Sequence, residues 1–291
     1  MNQIIESIIS DKSPRIERAC FGVPGPVAGE TVKLANLPWT VDARTIKKSF
    51  EIERIGLIND LEANAYGLSE LGADDFAVLS AGEKNTTGNA AIISAGTGLG
   101  EAGLHFEEEM RTLRPFASEG GHADFAPRDD LEIELLKFLR EKFGRVSVER
   151  VVSGQGLKNI YEFLRDIKKM EEPAWLKDEI LENGDAAAIV SKNAIAEKSE
   201  ICSIALEIFA SAYGAAAGNL ALKMLATGGV FLGGGIAPKI LPKLKGENFI
   251  ESFRAKGRMR ELLEKIPVRV VLNDKAALLG AAHFAFYDLD N

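Results

Sequence analysis

Short apolar runs that end in glycine alternate along this chain with longer stretches carrying apolar residues every three or four positions. Strands handing over to helices in an α/β protein produce that rhythm. Near the start, "NQIIESIISDK" has helical spacing, and "IERACFGVPGPV" then reads as a strand stopped by a Gly/Pro turn. In "ERIGLINDLEANAYGLSEL" the apolar run "IGLI" stops at Asn59 and Asp60 and a helical period takes over, so Asp60 stands where a strand becomes a helix. "AAIISAGTGLGEAGLHF" predicts two strands joined by a tight glycine turn, and "EMRTLRPF" a third. Helical spacing returns from Asp129 to about Arg140 and, very rich in alanine, from Ala186 to Ala226. "GGVFLGGGIAP" supplies another strand ending in glycines, and "VRVVLNDKAALLGAAHF" a strand, an Asn-Asp pair and a closing helix.

Two of these stretches resemble each other. "LINDLEANAYG" and "VLNDKAALLG" share an apolar strand end, Asn-Asp, and an alanine-containing helix with glycine toward its end. Each is preceded, after an intervening helix, by a strand ending in glycines, "CFGVPGPV" in one case and "VFLGGGIAP" in the other. Two copies of one α/β unit are the simplest reading. The second copy shows three strands with a glycine turn, then helix, strand, helix, strand, helix. The first copy opens at the helix, so the expectation is of a first domain without its three leading strands.

Composition narrows the partners. At 291 residues and 46% hydrophobic content the chain can build one large core or two ordinary ones. A formal charge of -8, with no basic face interleaved with aromatics, disfavours nucleic acid. No run of eighteen apolar residues and no basic, apolar leader is present, so neither a membrane span nor a signal peptide is expected, and cytoplasm is the default. Cys20 and Cys202 lie far apart and outside any ligand-spaced cluster, and read as small buried hydrophobes. Arg254, Lys256, Arg258 and Arg260 in "FRAKGRMRELLEKI" read as a solvated helix face.

The candidate chemistry sits at the strand ends. In "SAGTGLGEAG", Gly96, Thr97 and Gly98 form a turn whose backbone N–H groups and threonine hydroxyl can face a phosphate, although hairpins use glycine for turns as well. No Gly-Lys-Ser/Thr follows, which sets it apart from a P-loop. Gly233, Gly234 and Gly235 form a second cluster, leading into a helix. Asp60 is the candidate general base, a carboxylate at a strand's carboxyl end; the plainer role for Asn59 and Asp60 is to cap the next helix. "SEGGHADFAP", residues 118–127, places Glu119 and His122 around two glycines in a chain with three histidines. With Glu149 of "SVERVVSGQGL" they form a set of donors and acceptors suited to sugar hydroxyls, the alternative being ordinary turn residues. Asp124 is the one other near ligand, which makes a metal site less attractive.

Taken together, "INDLEANAYGL", "SAGTGLGEAGL", "EGGHADFAP", "ERVVSGQGLKNIYEFL", "GGVFLGGGIAPKIL" and "LLGAAHF" resemble, in order and spacing, the bacterial ATP-dependent glucokinase family over essentially the whole chain. The cysteine-rich zinc motif of the repressor-type (ROK) sugar kinases has no counterpart. The resemblance implies an actin-like, ribonuclease-H-like duplicated α/β fold, two domains closing over glucose and ATP with Mg²⁺ on the phosphates. By residue, Asp60 matches the catalytic base, and Asn59, Glu119, His122 and Glu149 match glucose ligands. Gly96, Thr97 and Gly98 match a phosphate-contacting loop, and Gly233 to Gly235 the adenosine-side loop.

The domains expected are residues 1–73 with 275–291, and residues 74–274. A homodimer is compatible with this reading, and a hexose-binding sensor without turnover is the alternative function. Family members begin with a strand and an Asp-x-Gly-Gly-Thr loop that this sequence does not show, so a start assigned too far downstream, or a fragment, is also expected.

Overall fold

The computed structural model describes residues 5–6, 15–34, 38–84 and 86–289. Most of "NQIIESIISDK" lies outside the described residues; within it, Ile5 and Glu6 are helical and Ile5 is buried. The strands are β1 (Arg18–Val23), β2 (Thr31–Lys33), β3 (Thr40–Asp42), β4 (Arg54–Asn59), β5 (Phe76–Ser80), β6 (Ala90–Ala95), β7 (Leu99–Glu107), β8 (Thr112–Ser118), β9 (Gly229–Gly233) and β10 (Val268–Val271). The main helices are α1 (Ala43–Phe50), α2 (Asp60–Gly67), α3 (Asp130–Phe143), α4 (Gly154–Asp166), α5 (Ala174–Asn183), α6 (Ala186–Ile195), α7 (Glu200–Met224), α8 (Glu247–Arg254) and α9 (Ala276–His283).

The chain divides into two compact units, one of Met1–Asp75, Glu107–Ala117 and Asn273–Asn291, the other of Phe76–Phe106 and Ser118–Leu272. In the first, β1 and β4 pair in parallel with Cys20 opposite Gly56, and β2 and β3 form a short antiparallel ladder. Successive strand residues point to opposite faces, and both faces of the β1–β4 pair are covered. Phe21, Val23 and Leu57 join Val32, Val41 and Ile46 on one side. Cys20 and Ile58 join Ala63, Tyr66 and Phe284 on the other. Burial, with a smaller push from Glu62, raises the Cys20 thiol to about 12.

Helices α2 and α9 lie almost in backbone contact. A Cβ on Gly67 would overlap the Ala276 carbonyl, and one on Gly280 the Ala63 carbonyl. The glycines toward the ends of the two similar sequence stretches are therefore the points where their helices pack on each other.

In the second unit the sheet runs β5–β10–β9–β6–β7, with β6, β9 and β10 parallel and β7 antiparallel to β6. The central strand β6 reads AAIISA and is buried at every position but Ser94, as a strand covered on both faces must be. The pair β9–β10 repeats the parallel pair β1–β4 of the first unit.

Helix α7 explains the alanine-rich stretch. Its Gly214 and Gly218, one turn apart, admit the Phe249 and Phe253 carbonyls of α8, and the Tyr213 hydroxyl donates to the Ile93 carbonyl of β6 at 3.2 Å. By length and composition α7 could cross a membrane, but Ala205, Phe209, Tyr213, Ala217 and Leu220 along it are core residues.

The basic stretch after Phe253 is not one solvated face. α8 stops at Arg254, Gly257 takes φ +55°, and a separate helical turn, Arg260–Lys265, comes next. Arg254 reaches Ser80 Oγ at 3.1 Å, and Lys256 turns toward α7, donating to the Ala215 carbonyl at 2.9 Å and Asn219 Oδ1 at 2.7 Å.

Candidate active site

In the second unit, two glycine loops leave the carboxyl ends of neighbouring parallel strands. Gly96–Gly98 follows β6, and Gly234–Gly235 follows β9, whose Gly233 lies opposite Ser94. Loops in this position are where ligands approach an α/β sheet. The first loop is a closed turn: Gly96 N–H donates to the Gly98 carbonyl at 2.9 Å, and the Gly96 carbonyl accepts from Gly154 N–H, at the start of α4, at 2.8 Å. Thr97 is exposed, and the space beside Gly96 is open.

Gly234 requires glycine on two counts. It has φ +78°, and a Cβ there would come within 2.5 Å of the Ala95 carbonyl. The helix expected after this loop is only the turn Ile236–Lys239, succeeded by a second turn, Leu241–Leu244. Pro242 opens that second turn without an N–H to continue the first.

The acids gather beside the first loop. Glu149 lies in the turn Val148–Arg150, and its Oε2 accepts the Leu99 N–H at 3.0 Å. Its own carbonyl accepts from Ser153 Oγ at 2.7 Å, and Ser153 in turn caps α4 by accepting from Gly156 N–H at 3.0 Å. Glu119 precedes the turn Gly120–His122 and His122 closes it, with Glu119 Oε2 and His122 Nε2 3.9 Å apart and both side chains 59% exposed. Gly121 in that turn presses on the Leu99 carbonyl, where a Cβ would not fit. The two turns are stitched together, since Val148 N–H donates to the Ala123 carbonyl at 2.9 Å. Arg145 braces them, reaching the His122 carbonyl at 2.6 Å and Asp124 Oδ1 at 2.7 Å.

Gly96, Thr97, Gly98, Glu119, His122 and Glu149 therefore converge around the first residue of β7. Gly233 and Gly234 adjoin them at the end of β6, where Gly234 faces the Ala95 carbonyl. Spacing did not single out Leu99, Arg145 or Ser153, which hold the set through backbone contacts.

Asn59 and Asp60 belong to the first unit. Asn59 is the helix cap: its Oδ1 accepts from Leu61 N–H at 2.9 Å and Glu62 N–H at 3.3 Å, and Glu62 answers by accepting from Asn59 N–H at 3.3 Å. This reciprocal box satisfies the open N–H groups of the first turn. Asn59 Nδ2 also donates to the Gly25 carbonyl at 3.2 Å. The cap is made by Asn59 together with Glu62. Asp60, the first helical residue, is exposed, and its Oδ1 accepts from the N–H of Leu61 at 3.0 Å. In the similar stretch, Asn273 accepts from Lys275 N–H at 2.9 Å and α9 begins only at Ala276, so Asp274 is not a first helical residue.

The glucokinase family model matches residues 1–287. The chain belongs to the glucokinase family. It is 46% identical over 278 residues to the glucokinase of Trichormus variabilis, covering 91% of this chain and 81% of that one. Among solved structures it superposes with TM-score 0.78 on glucokinase from an Antarctic psychrotroph, at 33% identity, covering 91% of this chain and 79% of the other. Glucokinase from Balamuthia mandrillaris, solved with glucose, shares the fold at TM-score 0.76 and 24% identity, covering 92% and 77%. The architecture is that of the sugar kinases, and the activity that of an ATP-dependent hexose kinase.

Proposed function

We propose that the chain moves the γ-phosphoryl group of ATP to the 6-hydroxyl of glucose, with Asp60 as the general base. The observation that carries this is the state of Asp60. Asn59 and Glu62 meet the capping needs of α2, and a carboxylate with no structural duty beyond its neighbour's N–H is left exposed at the end of a parallel strand. A hydroxyl must lose its proton as it attacks a phosphoryl group, and a carboxylate in that position can take it.

Glu119, His122 and Glu149 are read as hexose ligands, with Asn59 contributing the amide hydrogen that Gly25 does not take. Gly96, Thr97 and Gly98 would face the phosphates, and Gly233 to Gly235 the adenosine side. Among the described residues no three His, Cys, Asp or Glu side chains converge as a metal cage. Mg²⁺ would come with the nucleotide and neutralise charge on its phosphates. The unpaired thiols of Cys20 and Cys202 suit a cytoplasmic setting.

Glucose-dependent ADP release, measured beside glucose-dependent thermal stabilisation, tests the reading. A kinase gives both. Stabilisation without ADP release would replace the kinase with a hexose sensor.

A further inference from the structure

Beneath the Glu119 turn lies a second acid that the chemistry above does not use. Glu101 projects from β7 two residues beyond Leu99, hence from the same face of the strand. It is 5% exposed, and burial lifts its carboxyl above the usual carboxylate range, with Lys223 pulling the other way. Its carboxyl group lies against the glycine turn rather than in solvent. It touches Gly120, where a Cβ would overlap Glu101 Oε2 and stand 3.2 Å from Ser118 Oγ. Gly120 opens the turn that Glu119 precedes and His122 closes, and its own N–H donates to Ser118 Oγ at 3.0 Å.

We propose that Glu101 is a positioning residue of the sugar site, its carboxyl group filling the space beneath Gly120 and so fixing where Glu119 and His122 stand. The proposal rests on the reading of Glu119 and His122 as hexose ligands. Shape is the main argument: strand, acid and glycine turn are in direct contact, and the turn carries no Cβ at the one point where the acid meets it. Burial is the second: it holds the side chain against the turn and raises its carboxyl above the usual carboxylate range.

Kinetics and glucose titration on Glu101→Ala, Glu101→Gln, Gly120→Ala and the double variant Glu101→Ala/Gly120→Ala test this, with Glu119→Gln as reference. Glu101→Ala is expected to raise the glucose KM on the order of tenfold, with kcat and the ATP KM within about twofold of wild type. Glu101→Gln, which keeps the shape, is expected to stay near wild type. Gly120→Ala is expected to behave like Glu101→Ala, because its methyl displaces the carboxyl. The double variant is expected to regain most of the lost affinity, as the methyl takes the vacated volume.

Additive losses in the double variant would overturn the proposal. So would an unchanged glucose KM in Glu101→Ala beside weakened glucose binding in Glu119→Gln. Intact glucose affinity in Glu119→Gln would remove the sugar reading itself, and the proposal with it. Should Glu101→Ala not fold, Glu101→Gln and Gly120→Ala carry the same test.

Discussion

The backbone N–H of Leu99 donates to Oε2 of Glu149 at 3.0 Å, and Gly98 beside it leaves the room, since a Cβ there would come within 2.5 Å of that oxygen. The acid read as a sugar ligand and the loop read as the phosphate contact thus share one hydrogen bond. Displacing either should disturb both.

Gly98→Ala tests this. The methyl forces Glu149 off the Leu99 N–H, and a charged hydrogen bond of this kind contributes about 1.5–3 kcal/mol. Steady-state kinetics should show the glucose KM and the ATP KM rising together, each by roughly tenfold or more. A rise in the ATP KM alone would mean that Glu149 does not depend on the loop.

Arg145 holds the sugar-side turn from outside, through the His122 carbonyl and Asp124. It is 63% exposed, and an exposed ion pair contributes little to stability. Arg145→Ala should therefore leave Tm nearly unchanged, by differential scanning fluorimetry, while weakening glucose binding several-fold by titration. A large fall in Tm with unchanged glucose affinity would make Arg145 a purely structural brace.

Gly280→Ala should destabilise the first unit. Its methyl would meet the Ala63 carbonyl, so α9 must move away from α2, and overpacking of this sort costs about 1–3 kcal/mol or more. The expected reading is a fall in Tm of several degrees, roughly what such a loss gives in a chain of this size. An unchanged Tm would mean that the two helices can separate without cost.

Lys256 gives a pH dependence. Burial, and next the positive charge of Arg128, lower its amine from the ordinary 10.5 to about 8, Glu132 opposing. Between those values the unfolded chain binds a proton that the folded chain does not, so folding stability rises with pH from about 8 to 10.5. The penalty is complete below pH 8 and gone above 10.5. Subtracting the thermal stability of Lys256→Met isolates the effect: the wild type should gain on the variant between about pH 8 and pH 10. A constant difference over that window would contradict it.

Much of this architecture is legible in the sequence because strand and helix periods differ and glycine punctuates both. Asp60 at a strand-to-helix junction, the hairpin around Gly96 to Gly98, and the likeness of two strand-to-helix stretches could be read that way. Contacts made through the third dimension could not. Arg254 to Arg260 has the local composition of a solvated helix, yet Arg254 bonds Ser80 and Lys256 bonds α7. The glycine run at Gly233 reads as a helix start, but Pro242 divides the next segment into single turns. Arg145 and Glu101 carry no signal in local spacing, because each acts on a turn some twenty residues away along the chain. The adjacent glycines of "EGGH" were the visible trace of that crowding.

Asp60 as the group that takes the proton from the attacking hydroxyl is tested most directly by glucose 6-phosphate formation. Wild type and Asp60→Asn are compared in a coupled assay with Mg-ATP, beside glucose affinity by calorimetry. The expected result is turnover in the wild type, a kcat lower by about 10²–10⁴-fold in Asp60→Asn, and glucose affinity retained within a few-fold. Wild-type turnover in Asp60→Asn would contradict it.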